Sequence, residues 1–127
     1  MKKTKLPKLS TMRNKADALL TPITKKLHPT CELRAPDCTT LTQVGHHHVH
    51  KSKSTRLRYE LDNLIGLCNH CHLVLHNNES YWASKLVEKR GLEWFRALDA
   101  IKNEYVKVDV HFYIATHERL KTILEAL

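Results

Sequence analysis

Fifteen residues near the middle of the chain, 62–76, constrain it more than any others. Cys68 and Cys71 form a Cys-x-x-Cys pair, and His72 and His76 follow as His-x-x-x-His. Residues four apart on a helix share one face about 6 Å along the axis, so His72 and His76 can turn both imidazoles toward one ion. A third ligand must come from elsewhere in the chain. The histidine cluster His46, His47, His48 and His50, opened by Gly45, is the obvious donor. A second cysteine pair, Cys31 and Cys38, stands further upstream. Four thiolates in two pairs match a tetrahedral structural Zn²⁺ site. In an intracellular chain such pairs are more often metal ligands than disulfides. The six-residue gap between Cys31 and Cys38 is wider than the usual two to four.

The chain has 127 residues, which fits one domain with a modest core that a metal would support. Its net charge of +8 favours a polyanionic partner. No apolar run approaches a membrane span, and no apolar stretch follows the basic start, so neither membrane insertion nor a signal peptide is expected. A cytoplasmic location, host cytoplasm if phage-encoded, is expected on those grounds.

The histidine and cysteine runs resemble the HNH endonuclease family. The resemblance is carried by His47-His48, then Asn63-Leu64 fifteen residues later, then the run Leu67-Cys68-Asn69-His70-Cys71-His72 closed by His76. It covers roughly residues 30–77. It implies an α+β fold with a small zinc-supported ββα-metal (His-Me finger) core. Three parts are then expected within one compact unit: a basic arm and helix over 1–29, the nuclease core over 30–77, and a helical extension over 78–127.

The resemblance also implies roles. His48 would be the general base and Asn63 its orienter. His47, His72 and His76 would hold one catalytic divalent cation, with Mg²⁺ expected and Mn²⁺, Ni²⁺ or Zn²⁺ as alternatives. Cys31, Cys38, Cys68 and Cys71 would hold one structural Zn²⁺. Because three histidines stand in a row, a register one residue earlier exchanges His47 and His48 for His46 and His47. The later pair is preferred because Val49 then takes the apolar place after the base. The expected activity is metal-dependent hydrolysis of DNA phosphodiester bonds, leaving a 5′ phosphate. The rival from another class is a non-catalytic zinc module that binds nucleic acid.

Residues 1–30 carry eight Lys/Arg against one acid, Asp17. The first ten, with Pro7, read as an extended arm. Lys2, Lys3, Lys5, Lys8, Lys25 and Lys26 are candidate phosphate contacts. A helix capped by Ser10 or Thr11 should run from about Met12 to Lys26, with Pro22 splitting it or starting a second helix. Leu41-Thr42-Gln43-Val44 alternates and should open the first strand, with Gly45 permitting a close approach to the metal loop. Residues 51–60 should form a loop and second strand whose Lys51, Lys53, Arg56 and Arg58 contact DNA. His50 is expected to face away from the ion, and His70 to fill the variable slot between the second cysteines.

Beyond His76, helices are expected over about 79–90, 92–103 and from Asp109 toward Leu127, with Gly91 stopping the first. Trp82, Trp94 and Phe95 are read as core. The order from Ser84 to Gly91 followed by Leu92-Glu93-Trp94, and Asn14-Lys15-Ala16-Asp17 before the first cysteine, are similar to phage recombination nucleases of the NinG/Rap type, which cut branched DNA. That weaker resemblance implies duplex or branched DNA as partner.

Overall fold

The computed structural model describes residues 5–127, so the expected contacts of Lys2 and Lys3 lie outside the described residues. The fold is mixed α+β. In order it comprises α1 (Leu9–Leu27), β1 (Val44–His47), α2 (Thr55–Arg58), a 3₁₀ turn (Leu61–Asn63), β2 (Leu64–Leu67), α3 (Asn69–Asn77), α4 (Glu79–Arg90), α5 (Leu92–Ile101) and α6 (Val110–Ala126). The two strands pair antiparallel, with Val44 opposite Leu67 and His47 opposite Leu64. Among the described residues no helix is long and apolar enough to cross a membrane.

All four residues of β2 are buried, which separates two apolar clusters. On one side Ile65 and Leu67 join Cys31, Leu33, Cys68, Cys71, Leu75 and Leu86. On the other, Leu64 and Tyr59 join α1 and α6 through Met12, Ala16, Leu20, Ile23, Tyr113 and Leu120. A short apolar strand shared by two cores reads as a continuous hydrophobic run, as Leu64-Ile65-Gly66-Leu67 does. The strand opposite it begins at Val44. Leu41, expected to open it, pairs only with Thr30 as an isolated bridge.

Helix α1 runs unbroken through Pro22, contrary to the expected split. Pro22 lies on the exposed face, as does Ala18, whose carbonyl the missing N–H would have met, so the unmet acceptor belongs to a residue on the solvent side. The buried stripe of Met12, Ala16, Leu20 and Ile23 holds the two halves in line. The helix starts at Lys8 without a side-chain cap, so neither Ser10 nor Thr11 caps it. Gly45 and Gly66 face each other across the ladder. A Cβ at Gly45 would lie 2.5 Å from Thr24 Oγ1, so the close approach there is to α1 and not to a metal loop. A Cβ at Gly66 would lie 2.8 Å from the His28 carbonyl oxygen.

Residues 51–60 form a turn and then α2, capped by Ser54 accepting from the Leu57 N–H, rather than a strand. The downstream helices begin and end close to expectation. Gly91 at φ 101° ends α4, and the Asp109 carboxylate accepts from the Phe112 N–H to start α6. Trp82 and Trp94 pack against the first core, whereas Phe95 remains exposed.

Arg58 ties α1 to this frame. Its guanidinium donates twice to Asp17, at 3.2 and 2.7 Å, and the Tyr59 hydroxyl donates to the same carboxylate at 2.7 Å. Burial opposes the charge on Arg58, and the Asp17 hydrogen bonds more than offset it, raising its pKa. Asp17→Ala strips both donors of their acceptor. It is expected to lower stability by about 1–3 kcal/mol in urea unfolding, against about 0.5 kcal/mol or less for Lys15→Ala on the exposed face. Equal effects would show that the pair carries no structural weight.

Candidate metal centres

The four cysteines meet at one point. Cys31 and Cys38 bracket a loop, Cys68 is the N-cap of α3, and Cys71 lies in its first turn. Their sulfurs all lie within 4.8 Å of one another, and Cys38 Sγ is 3.9 Å from Cys68 Sγ. Tetrahedral Zn²⁺ bonded at about 2.3 Å requires sulfurs about 3.8 Å apart, so the set fits zinc. All four cysteines are free thiols. The wide Cys31–Cys38 gap is accommodated by backbone. Arg34, Asp37 and Thr40 take positive φ of 54°, 64° and 80°, and the Cys31 N–H donates to the Thr40 carbonyl at 2.7 Å. Positive φ at a β-branched threonine is a strained state that a surrounding structure must impose. His70 donates from Nε2 to the Pro36 carbonyl at 2.8 Å, pinning α3 to the loop.

The electrostatics of this cluster also suit a cation. Burial would raise the Cys68 pKa, but hydrogen bonds from Thr39 and Cys71 outweigh it and bring it down to about 5. Burial raises Cys71 and Cys38 in turn, and hydrogen bonding with the other thiols adds to it at Cys71. One thiolate therefore forms readily, and a full set forms only around a positive charge.

The second group is His46, His72 and His76, with ligand nitrogens within 4.8 Å of one another. His72 Nε2 and His76 Nε2 lie 3.0 Å apart. The third imidazole is thus His46, not His47. Successive residues of a strand face opposite sides, so only one of the two can point at α3. The pairing of His46 with Ile65 fixes which one. Burial, then the neighbouring His72 and His76, lowers the His46 pKa to about 3. Burial also lowers that of His72, with His76 adding to it.

His47 turns to the other side of the ladder, where Nε2 is 2.9 Å from the Arg58 carbonyl oxygen. It still borders the cavity of about 300 Å³ into which the cluster opens, together with His50 and Lys51. Burial lowers its pKa, partly countered by the Arg58 carbonyl. His48, expected to be the base, is elsewhere. Its ring packs on Trp94 at 4.8 Å, under α5, and does not border the cavity. Burial and then Arg90 lower its pKa.

Asn63 is fully buried and holds the chain that follows the histidines. Its Oδ1 accepts from the Val49 N–H at 2.8 Å, and its Nδ2 donates to the carbonyls of Val49 and Leu57 at 3.0 and 3.2 Å. Its own carbonyl accepts from the His48 N–H at 2.9 Å. The Asn63 side chain touches no imidazole; it positions backbone.

The four basic candidates divide. Lys51 and Lys53 are exposed on one turn; Lys51 borders the cavity, and Lys53 lines a separate cleft against α5. Arg56 is paired with Glu60 at 2.8 Å and Glu104 at 3.4 Å, and Arg58 with Asp17, so neither is free as expected. His50 does not face away. Its Nε2 is bonded to Glu79 Oε1, and its ring centroid is 6.3 Å from that of His46. Parity along the chain gave no usable sign of this: it would equally have placed His48 beside His46, and the chain bends at His48 and Val49 once β1 has ended. Glu79 carried no sign either.

The buried neutral histidines make the metal-free fold acid-sensitive. A histidine held below its ordinary pKa binds fewer protons folded than unfolded, so stability is full above about pH 6.5 and falls as pH drops below it. With His46 5% exposed, the fall is expected to be about 1.4 kcal/mol per pH unit between pH 6.5 and 5. Urea unfolding in EDTA at three pH values reads it; a flat profile would mean that His46 protonates in place. Comparison with protein-family models, curated proteins and solved structures found no match to this chain.

Proposed function

We propose that the protein is a metal-dependent DNA endonuclease of the HNH type, in the earlier of the two histidine registers. His46, His72 and His76 hold the catalytic ion, His47 is the general base, and the four cysteines hold a structural zinc. The observation that carries this reading is the meeting of one strand imidazole and two helix imidazoles at a cavity that a further, backbone-oriented imidazole borders.

The ion would supply charge against the scissile phosphate and the leaving 3′ oxygen. The chain does the rest. A carbonyl can only accept, so the contact with Arg58 places the His47 proton on Nε2 and leaves the Nδ1 lone pair free. Burial keeps that ring neutral near pH 7. Nδ1 then takes a proton from the attacking water, the new P–O bond forms, and the P–O3′ bond breaks to leave a 5′ phosphate. Asn63 holds the loop that carries His48 to Leu57 in place during this step. Three imidazoles favour Mn²⁺, Ni²⁺ or Zn²⁺ over Mg²⁺ as the tightest-bound ion, since Mg²⁺ prefers oxygen ligands.

The exposed Lys51 borders the cavity, Lys53 stands two residues on along the same turn, and both suit phosphate contact. Replacing both with glutamate is expected to weaken DNA binding for all sequences and to reduce the salt slope by about 2 in fluorescence titration. An unchanged slope would remove them from the interface. The function is tested with supercoiled plasmid and a labelled branched duplex, in Mg²⁺, Mn²⁺, Ni²⁺ or EDTA, beside His46→Ala. Metal-dependent cutting lost in the variant supports a nuclease, and preference for the branched duplex supports a role on recombining DNA. DNA binding without cutting in any metal would instead favour a zinc-containing accessory module.

A further inference from the structure

His50 and Glu79 form a pair beside the histidine cluster that the reaction outlined above does not use. Three imidazoles bonded to one tetrahedral ion at about 2.1 Å place their ring centroids about 5 Å apart. His46 to His72 and His46 to His76 fit, at 5.2 and 5.5 Å. The His50 centroid lies 6.3 Å from that of His46 and 6.4 Å from that of His76, about an ångström beyond a ligand's place. Its Nε2 is moreover bonded to Glu79. His50 is therefore in the next layer, on the side where the cavity opens.

A purely structural role accounts poorly for the pair. The backbone of His50 is already held, because its carbonyl accepts from the N–H groups of Lys53 and Ser54 at 2.9 and 3.2 Å. The two side chains are 36% and 43% exposed, and ion pairs so placed add little stability. What the Glu79 carboxylate does fix is the rotation of the imidazole, as carboxylates do for histidines around metals. Glu79 lies in the first turn of α4, three residues beyond the ligand His76, which keeps its carboxylate close to the cluster.

We propose that His50 is a substrate-contacting residue of this centre: as the imidazolium paired through Nε2–H with Glu79, it donates from Nδ1–H to the phosphate oxygen that enters the open side of the His46–His72–His76 cluster, with Glu79 as its positioning residue. The inference rests on the nuclease reading for its DNA substrate, but the contact itself is to phosphate. Lys51, next in sequence and at the same cavity, adds a positive charge at the same place.

The test uses the full chain loaded with Ni²⁺. Calorimetry measures Ni²⁺ affinity and then inorganic phosphate affinity for the parent, His50→Ala and Glu79→Gln. Phosphate affinity is expected to fall about tenfold in His50→Ala and less in Glu79→Gln, with Ni²⁺ affinity within about twofold of the parent. A tenfold loss of Ni²⁺ affinity would overturn the proposal by making His50 a ligand. Unchanged phosphate affinity, or no phosphate binding by the parent, would overturn it as well. A thermal midpoint within a few degrees of the parent shows that each variant is folded. If phosphate binding depends on His50 while DNA stays uncut, the nuclease reading fails and this one stands. If DNA is cut equally by parent and His50→Ala, the reverse holds.

Discussion

His47→Ala is expected to lower DNA cleavage by about 10²–10⁴-fold, the usual contribution of a positioned general base. Ni²⁺ affinity and DNA affinity should stay within about twofold, because the His47 ring is not one of the three imidazoles that meet and its loss removes no cation. His48→Ala should behave in the opposite way. That ring packs on Trp94 and Phe95, so its loss removes contact area under α5 and lowers the thermal midpoint, while cleavage falls by less than about tenfold. The two variants measured together decide the register. A large loss in His48→Ala with little change in His47→Ala would return the base to the later position and refute the mechanism proposed here.

Cys68→Ser is expected to have the largest effect on stability. Cys68 caps α3 through its sulfur, which accepts from the Cys71 N–H at 3.3 Å, and it is wholly buried in the core around β2. Serine can still accept that bond, so the cap survives and the four-sulfur site does not. Structural zinc contributes about 10–16 kcal/mol in small peptides that fold around it, more than the whole stability of most domains. Loss of one thiolate should therefore leave the purified variant zinc-free, with its thermal midpoint down by more than about 15 °C or no cooperative transition at all. Elemental analysis beside thermal unfolding reads both. A variant that keeps the parent's midpoint without zinc would mean that the four sulfurs are simply a packed apolar group.

Much of the architecture was legible because the strongest signals are local. Gly91 and Asp109 set helix ends through their own backbone and side-chain chemistry, and both act where expected. The cysteines could be grouped by residue type and pairing alone, since four thiols in two pairs match one tetrahedral site. The histidines could not. Which of three adjacent rings reaches α3 depends on strand register, and register is set by Ile65 and Leu64 burying on opposite sides of β2. Similarly, Arg58 looked like a free charge because its partner is distant in sequence, whereas Arg56 has one partner the sequence did show, Glu60 four residues on, and one distant one. Asp17 lies on α1, and Glu104 lies in the loop before α6. Pro22 misled for another reason: its cost depends on whether the orphaned carbonyl meets water, which is a property of the packed helix.

The packing of α1 against α6 has a consequence for how the molecule is made. Chains grow from the N-terminus, so α1 is synthesised roughly eighty residues before the helix that covers it. Until Tyr113, Thr116 and Leu120 arrive, the stripe of Met12, Ala16, Leu20 and Ile23 has Tyr59, Leu64 and the partly buried Leu61 to bury against. The zinc loop, β2 and α3 precede α6, so the ligands of both centres can assemble while one flank of β2 is still uncovered. Any ion that these groups bind can then be captured early, whereas closure of the second core comes late. At that stage the metal-ligating side chains are together while an oily helix is still presented to chaperones.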